Sequence, residues 1–250
     1  MKTLMIHDIR REYFNLPLEQ YRLTFDDGLF TQYYYYPLLK NLTDELVFFI
    51  SSSFVKPGQV RPMFSGEYLD YTKSKKYMYR AFVEDTYDEF MRDEELQLLS
   101  TFDKVCIGAH SHFHDVILTH TQPAKNKPLS AWKKKHIGYS ENPMEDAFSI
   151  RSKLTFQGYY NRNGTIERRS VREWEDYIKY DTDLSLQWFN SVLGFTPDIY
   201  CFPFNEHNKR LIGILKTFGF RKFFSARPNG CLEVSGRTDI DAMMSDSISL

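Results

Sequence analysis

Val105-Cys106-Ile107-Gly108-Ala109-His110-Ser111-His112-Phe113-His114 is the stretch on which the reading of this 250-residue chain turns. Its first half, Val105 to Ala109, is short, apolar and bounded, the pattern of a strand buried in a sheet. It runs straight into three histidines within five positions, in a chain that has only seven. The same order occurs earlier: Tyr21 to Phe25 reads as a buried strand that ends in Asp26-Asp27-Gly28, which is turn chemistry. Leu46 to Ile50 is a strand without a polar residue, and Ile199 to Phe202 and Lys222 to Ser225 read likewise. Helical patterns separate these runs. Arg92 to Phe102 carries Asp93, Glu94 and Glu95 in its first turn and turns Leu96 and Leu99 inward. Asp181 to Leu193 places Leu184, Trp188 and Val192 on one face and stops at Gly194. Lys209 to Phe218 does the same with Leu211, Leu215 and Phe218 before Gly219.

Strands separated by helices pair in parallel through crossovers, so the fold class is α/β. The carboxyl ends of such strands are where α/β proteins assemble their sites. Residues 26–28 and 110–114 are therefore expected at one end of one sheet. The alternation breaks twice, at about 55–88 and at 121–169. Both stretches read as insertions on one domain spanning residues 1–250. The second is expected to hold a hairpin, Leu154 to Tyr160 with Thr165 to Arg169, turning at Asn163-Gly164. Tyr33 to Tyr36 belong to the first helix and carry no chemistry in this reading.

Composition limits the function. Lys and Arg number 32 against 33 Asp and Glu, a net charge of −1, which excludes a protein that coats nucleic acid through overall basicity. Hydrophobic residues at 42% exclude a disordered chain. The longest apolar run, Leu46 to Ile50, is too short for a transmembrane segment. Met1 to Arg11 holds only Leu4, Met5 and Ile6 as an apolar run, too little for a signal-peptide core. Cys106, Cys201 and Cys231 are odd in number and scattered, which fits a reducing compartment. A cytoplasmic location is expected.

His110 and His114 stand at i and i+4, so a helical turn would put both rings on one face, where they could share a metal ion. The competing reading is two histidines without a ligand. For Asp26-Asp27 it is a turn and a helix cap. One carboxylate with two imidazoles leaves open positions on the ion, as catalytic metals require.

Leu23-Thr24-Phe25-Asp26-Asp27-Gly28 resembles the first motif of the polysaccharide deacetylases, the NodB-type carbohydrate esterases. His110-Ser111-His112-Phe113-His114 resembles their second motif, and Cys201-Phe202-Pro203-Phe204-Asn205 matches the third in part. The resemblance implies a distorted (β/α) barrel. It implies one divalent ion on Asp27, His110 and His114, zinc first, with cobalt or manganese as alternatives. Asp26 would be the general base, and a backbone N–H near Phe204, after Pro203, would hold the oxyanion. The implied reaction is removal of an acetyl group from an N-acetylated, or O-acetylated, carbohydrate.

Two departures stand out. Cys201 occupies the position where many members carry an arginine that orients the catalytic aspartate, and Arg237 is a candidate substitute. The family's late histidine, its general acid, has no counterpart. His207 ranks first as a replacement, followed by His112, His120 and His136. These departures keep two rivals in view: a barrel that binds a carbohydrate or partner without turnover, and a C–N hydrolase acting on a non-sugar amide.

Lys125, Lys127, Lys133, Lys134, Lys135 and His136, with Arg162, Arg168, Arg169 and Arg172, read either as a solvated face or as a clamp. A clamp would suit a nucleotide- or lipid-linked sugar, or peripheral contact with an anionic membrane. Trp132, Tyr139, Phe156, Tyr159 and Tyr160 could stack on sugar or pack the hairpin. Exposed aromatics leave room for a homo-oligomer.

Overall fold

The computed structural model describes residues 2–120, 130–138, 148–162 and 165–248. Lys125, Lys127, Tyr139 and the Asn163-Gly164 turn lie outside the described residues, as does the side chain of Arg162. The strands begin with β1 (Lys2–Ile6), β2 (Tyr21–Phe25), β3 (Leu46–Ile50) and β4 (Val105–Ala109). Next come β5 (Val116–Thr119), β6 (Ser149–Ser152), β7 (Tyr159–Arg162) and β8 (Thr165–Arg168). Last are β9 (Ile199–Cys201), β10 (Lys222–Ser225), β11 (Val234–Gly236) and β12 (Thr238–Asp239). The helices are α1 (Phe30–Tyr34), α2 (Tyr36–Leu39), α3 (Ser74–Tyr79), α4 (Asp93–Ser100), α5 (Ala131–His136), α6 (Val171–Leu193), α7 (Lys209–Thr217) and α8 (Ile240–Ile248).

One sheet runs in the order β11-β10-β9-β4-β3-β2-β1-β12, with every neighbouring pair parallel. Its two edge strands, β11 and β12, are consecutive in the chain with Arg237 alone between them. A sheet whose edges are joined by one residue must curl until they nearly meet, which is the distorted barrel expected from the motifs. Because all strands run the same way, His7, Asp26, Ser51, His110, Phe202 and Arg237 each follow a strand end and gather at one mouth. Alternation along the strands decides which side chains face inward. Val47, Phe49, Ile199, Cys201 and Phe224 form an interior cluster. Gly108 sits among them because a Cβ there would come within 2.6 Å of Phe49 and 2.7 Å of Ile199. Counting by twos along β4 from Gly108, the next inward position is His110. A larger cluster, with Leu23, Phe25, Phe48 and Ile50 of the strands and Leu211 and Leu215 of α7, packs outside the barrel.

Helix α6 begins earlier than the periodicity predicts. Ser170 and Glu173 form a capping box, with Ser170 Oγ accepting from Glu173 N–H at 3.1 Å and Glu173 Oε2 accepting from Ser170 N–H at 2.7 Å. Its buried residues are Trp174, Ile178, Asp181, Thr182, Ser185 and Phe189. Three of the six are polar, which hides this face from a hydrophobic reading. Gly194 ends the helix in a left-handed conformation, as expected. The hairpin in the second insertion is present, but its first strand is β7, and Leu154 lies in the turn before it. β7 and β8 join β5 and β6 in a separate antiparallel sheet. Tyr33 to Tyr36 are split between α1 and α2, and all four are buried. β1, β5, β6, β11 and β12 have no counterpart among the strands read from the sequence. Among the described residues, no helix is long and apolar enough to cross a membrane.

Candidate active site

At the barrel mouth, Asp27, His110 and His114 bring one ligand atom each within 4.8 Å of one another, all buried. Asp27 has φ of +75° and Gly28 +83°, so the chain doubles back at the end of β2 and turns the Asp27 carboxylate over the opening. The histidine segment is not a helical turn. Ser111 and His114 adopt left-handed backbone at +70° and +52°, and this loop brings the two rings to 5.1 Å between centroids. Non-glycine residues hold such conformations only when their surroundings over-determine them. Here Ser111 Oγ accepts from His114 N–H at 2.9 Å, and Ser52 and Ser53 N–H donate to the carbonyls of Ser111 and His112. Asp181, from the polar part of α6, accepts from His112 N–H at 3.1 Å and Phe113 N–H at 2.9 Å. Burial pushes its carboxyl up to about 7, against the lowering effect of those two N–H groups.

The donor set fits a cation. His110 Nδ1 lies 2.9 Å from the Cys201 carbonyl, which can only accept, so the proton sits on Nδ1 and Nε2 presents a lone pair. That lone pair faces Asp27 Oδ1 at 3.5 Å, and His114 Nε2 faces the same oxygen at 3.4 Å. Oδ1 is buried and has no hydrogen-bond partner among the described residues. Burial holds His110 below the usual imidazole range, and burial takes His114 down to about 3 despite Asp27. His114 Nδ1 is also buried with no partner among the described residues, and a cation between Asp27 Oδ1 and the two Nε2 atoms would satisfy this group. The other Asp27 oxygen accepts from Tyr77 O–H at 3.3 Å, a contact of the kind that orients metal-binding carboxylates.

Asp26 lines the same opening and is held by a different partner. Arg237 grips it with two bonds, Nη1 to Oδ1 at 2.6 Å and Nη2 to Oδ2 at 2.8 Å, and the guanidinium is fully buried. Burial alone would push the carboxyl up, but the charge and hydrogen bonds of Arg237 outweigh it and hold Asp26 well below the usual carboxylate range. The Cys201 thiol lies 3.8 Å from Asp26 Oδ2, buried as expected for a small apolar side chain. Arg237 thus grips the aspartate against which the Cys201 thiol lies.

A cavity of about 630 Å³ opens over this group. Its wall includes His7, Asp26, Asp27, His110, His114, Phe202, Phe204 and Asn205 from the barrel. The first insertion adds Ser74, Lys75, Tyr77 and Met78, and the second adds Ser130, Trp132 and Lys133. Phe204 stacks on His114 at 4.4 Å and has left-handed φ. Pro203 is buried beneath that turn and does not line the cavity.

The structure does not bring His207 to this cavity. Its Nε2 bonds the Arg227 carbonyl at 2.9 Å, and its ring packs on Phe202. His112 bonds Ser52 Oγ at 2.8 Å, with burial taking it down to about 4. His136 pairs with Asp115 at 2.7 Å, and His120 stacks on Phe148. The imidazole that does line the cavity, besides the two candidate ligands, is His7, with Nε2 4.0 Å from Asp26 Oδ2. Its signal lies in the sequence: Leu4-Met5-Ile6 followed by His7-Asp8 repeats the strand-then-polar order of the other motifs. The arginines of the second insertion are not one clamp. Arg169 is fully buried, bonding the carbonyls of Gln157, Lys153 and Phe156, while Arg172 pairs with Asp176 on the exposed face of α6.

No family model and no curated protein matches the chain in sequence. Solved structures do match. The deacetylase domain of BpsB from Bordetella bronchiseptica superposes with a TM-score of 0.58 at 18% identity, covering 88% of this chain and 70% of that one. A de-N-acetylase from Aggregatibacter actinomycetemcomitans gives 0.57 at 17% identity over 90% and 87%. IcaB from Ammonifex degensii gives 0.56 at 14% identity over 95% and 90%. The chain has the fold of the polysaccharide deacetylases. Within that deacetylase fold, the two motifs quoted from the sequence are the segments that meet at the mouth of the barrel.

Proposed function

We propose that this chain is a metal-dependent hydrolase that removes the acetyl group from an N-acetylated carbohydrate. The observation that carries the reading is the orphaned Asp27 Oδ1 between two neutral imidazoles. Asp27, His110 and His114 would hold a divalent ion, with zinc suited to two nitrogen donors and one oxygen donor. Bound there, the ion would polarise the acetyl carbonyl and lower the pKa of a water molecule. Asp26 is the proton acceptor: it is ionised, rigidly held by Arg237, and one residue from the ligand Asp27. His7 is the proton donor to the leaving nitrogen, in place of the His207 ranked first from the sequence. The N–H of Phe204, at the strained turn against His114, is the candidate oxyanion donor. Trp132 is buried against Phe82, and Phe204 lies against His114, so these rings shape the cavity wall. The two gaps that favour a non-catalytic barrel, a missing arginine and a missing histidine, have occupants in Arg237 and His7. Three free thiols suit a reducing compartment, hence a cytoplasmic location.

The test is metal content together with acetate release. Purified protein is expected to carry about one divalent ion per chain, and Asp27→Ala, His110→Ala and His114→Ala to lose it. Acetate release from a panel of acetylated sugars is expected in the wild type and absent in those variants. Full metal occupancy in all three would overturn the assignment.

A further inference from the structure

Lys133 lines the cavity and has no role in the deacetylation chemistry. Helix α5 carries it in the second insertion and sets its ammonium 4.3 Å from the centre of the Phe204 ring and 5.5 Å from that of Trp132. Phe204 in turn lies against His114, so a single aromatic ring separates the ammonium from a candidate metal ligand. Among the described residues no carboxylate is within ion-pairing distance of Lys133. The acid that influences it most, Glu206, is already held by Arg151 and by Ser152 N–H. The two carboxylates of the cavity are also committed, Asp26 to Arg237 and Asp27 to Tyr77 and, in the reading above, to the metal ion. A partly buried ammonium with no counter-ion among the described residues is costly, and here burial takes it down to about 8. Lys75, from the first insertion, adds a second positive charge to the same wall, with the hydroxyls of Ser74 and Ser130 beside it. Aromatic faces hold Lys133 near its place but cannot neutralise it.

We propose that Lys133 completes a subsite for an anionic group on the substrate, so that the enzyme takes an acetylated sugar bearing a phosphoryl group. This rests on the deacetylase reading above for the placement of the acetyl group over Asp27, His110 and His114. Phosphate supplies several acceptor oxygens to lysine as a point charge and to neighbouring hydroxyls together, which a neutral glycan cannot do. The group can be a sugar monophosphate or the diphosphate of a nucleotide-linked sugar.

Two measurements test the proposal. In the metal-loaded enzyme, acetate release is compared for N-acetylglucosamine 1-phosphate, a nucleotide diphosphate-linked N-acetylglucosamine and the neutral methyl N-acetylglucosaminide. Lys133→Met is expected to lower kcat/KM about ten- to hundredfold for at least one phosphorylated probe, to leave the neutral probe within about threefold, and Lys133→Arg to restore most of the loss. Which phosphorylated probe responds tells a monophosphate from a nucleotide source. Separately, calorimetry on the metal-free chain is expected to show tighter binding of a phosphorylated probe than of the neutral one, and Lys133→Met to abolish the difference. Equal losses on all probes, or no preference in the wild type, overturn the subsite. If no probe releases acetate while the binding preference persists and depends on Lys133, the deacetylase reading fails and the anion subsite stands.

Discussion

Arg237→Met tests the electrostatic frame of the site. Asp26 and Arg237 are both buried and joined by bonds of 2.6 and 2.8 Å. Methionine keeps an unbranched stem but leaves the carboxylate with a thiol at 3.8 Å and a partly exposed imidazole at 4.0 Å. Breaking a buried ion pair from one side costs about 3–5 kcal/mol, because the remaining charge is stranded. In a chain of this length that corresponds to a fall in Tm on the order of 10 °C at pH 7. The loss should also depend on pH. In the native protein Asp26 lies below its ordinary range, so its contribution to stability is present above about pH 4 and is lost as pH falls toward the folded value. Without Arg237, burial pushes the same carboxyl up, and the folded state gains by taking a proton. The gap between the two proteins is therefore expected to narrow from pH 7 to pH 4. Urea unfolding at both pH values reads this directly. The double variant Asp26→Asn/Arg237→Met removes both charges and is expected to be more stable at pH 7 than Arg237→Met alone. A loss below about 1 kcal/mol in Arg237→Met, or a double variant that is simply the sum of the singles, would refute the stranded-charge argument.

Other expectations follow from the same geometry. His7→Ala is expected to reduce kcat for acetate release by about 10²–10⁴ with metal content unchanged. His207→Ala should leave it within roughly threefold, and a larger loss in His207→Ala would reverse the assignment of the proton donor. Asp181→Asn removes a carboxyl raised to about 7, so the folded wild type binds the extra proton between about pH 4 and pH 7 and loses stability as pH rises through that window. Across pH 5 to 7 the wild type should lose on the order of 3 kcal/mol relative to the asparagine variant, and unfolding curves that run parallel would show that Asp181 does not titrate there. Gly108→Ala places a Cβ 2.6 Å from Phe49 in the barrel interior and is expected to cost at least about 1–3 kcal/mol in urea unfolding; an unchanged midpoint would mean the interior is not close-packed.

The two strand-then-polar segments carried most of the fold and the candidate ligands. Buried strands are apolar by necessity and chemistry sits at their carboxyl ends, so both are local patterns that a sequence displays. Asp26, Asp27, His110 and His114 were legible for that reason, as were the helix stops at Gly194 and Gly219. What the sequence could not display is anything made by contact between distant segments. The sharing of a single oxygen by His110 and His114 depends on left-handed residues at Ser111 and His114, not on the helical turn their spacing suggests. That loop is held by Asp181 from α6, a residue whose polarity hid the buried face of its own helix. The pairing of Arg237 with Asp26 required the two sheet edges to meet, because one residue joins β11 to β12. His7 is not legible because only Leu4-Met5-Ile6 of β1 is apolar, and only the parallel register with β2 places it beside Asp26. His207, adjacent in sequence to the third motif, points elsewhere because the turn at Phe204 and Asn205 redirects the chain. Local patterning thus determined which residues were equipped for the chemistry, and barrel closure decided which of them act on one another, since electrostatics and hydrogen bonding depend on distance through space.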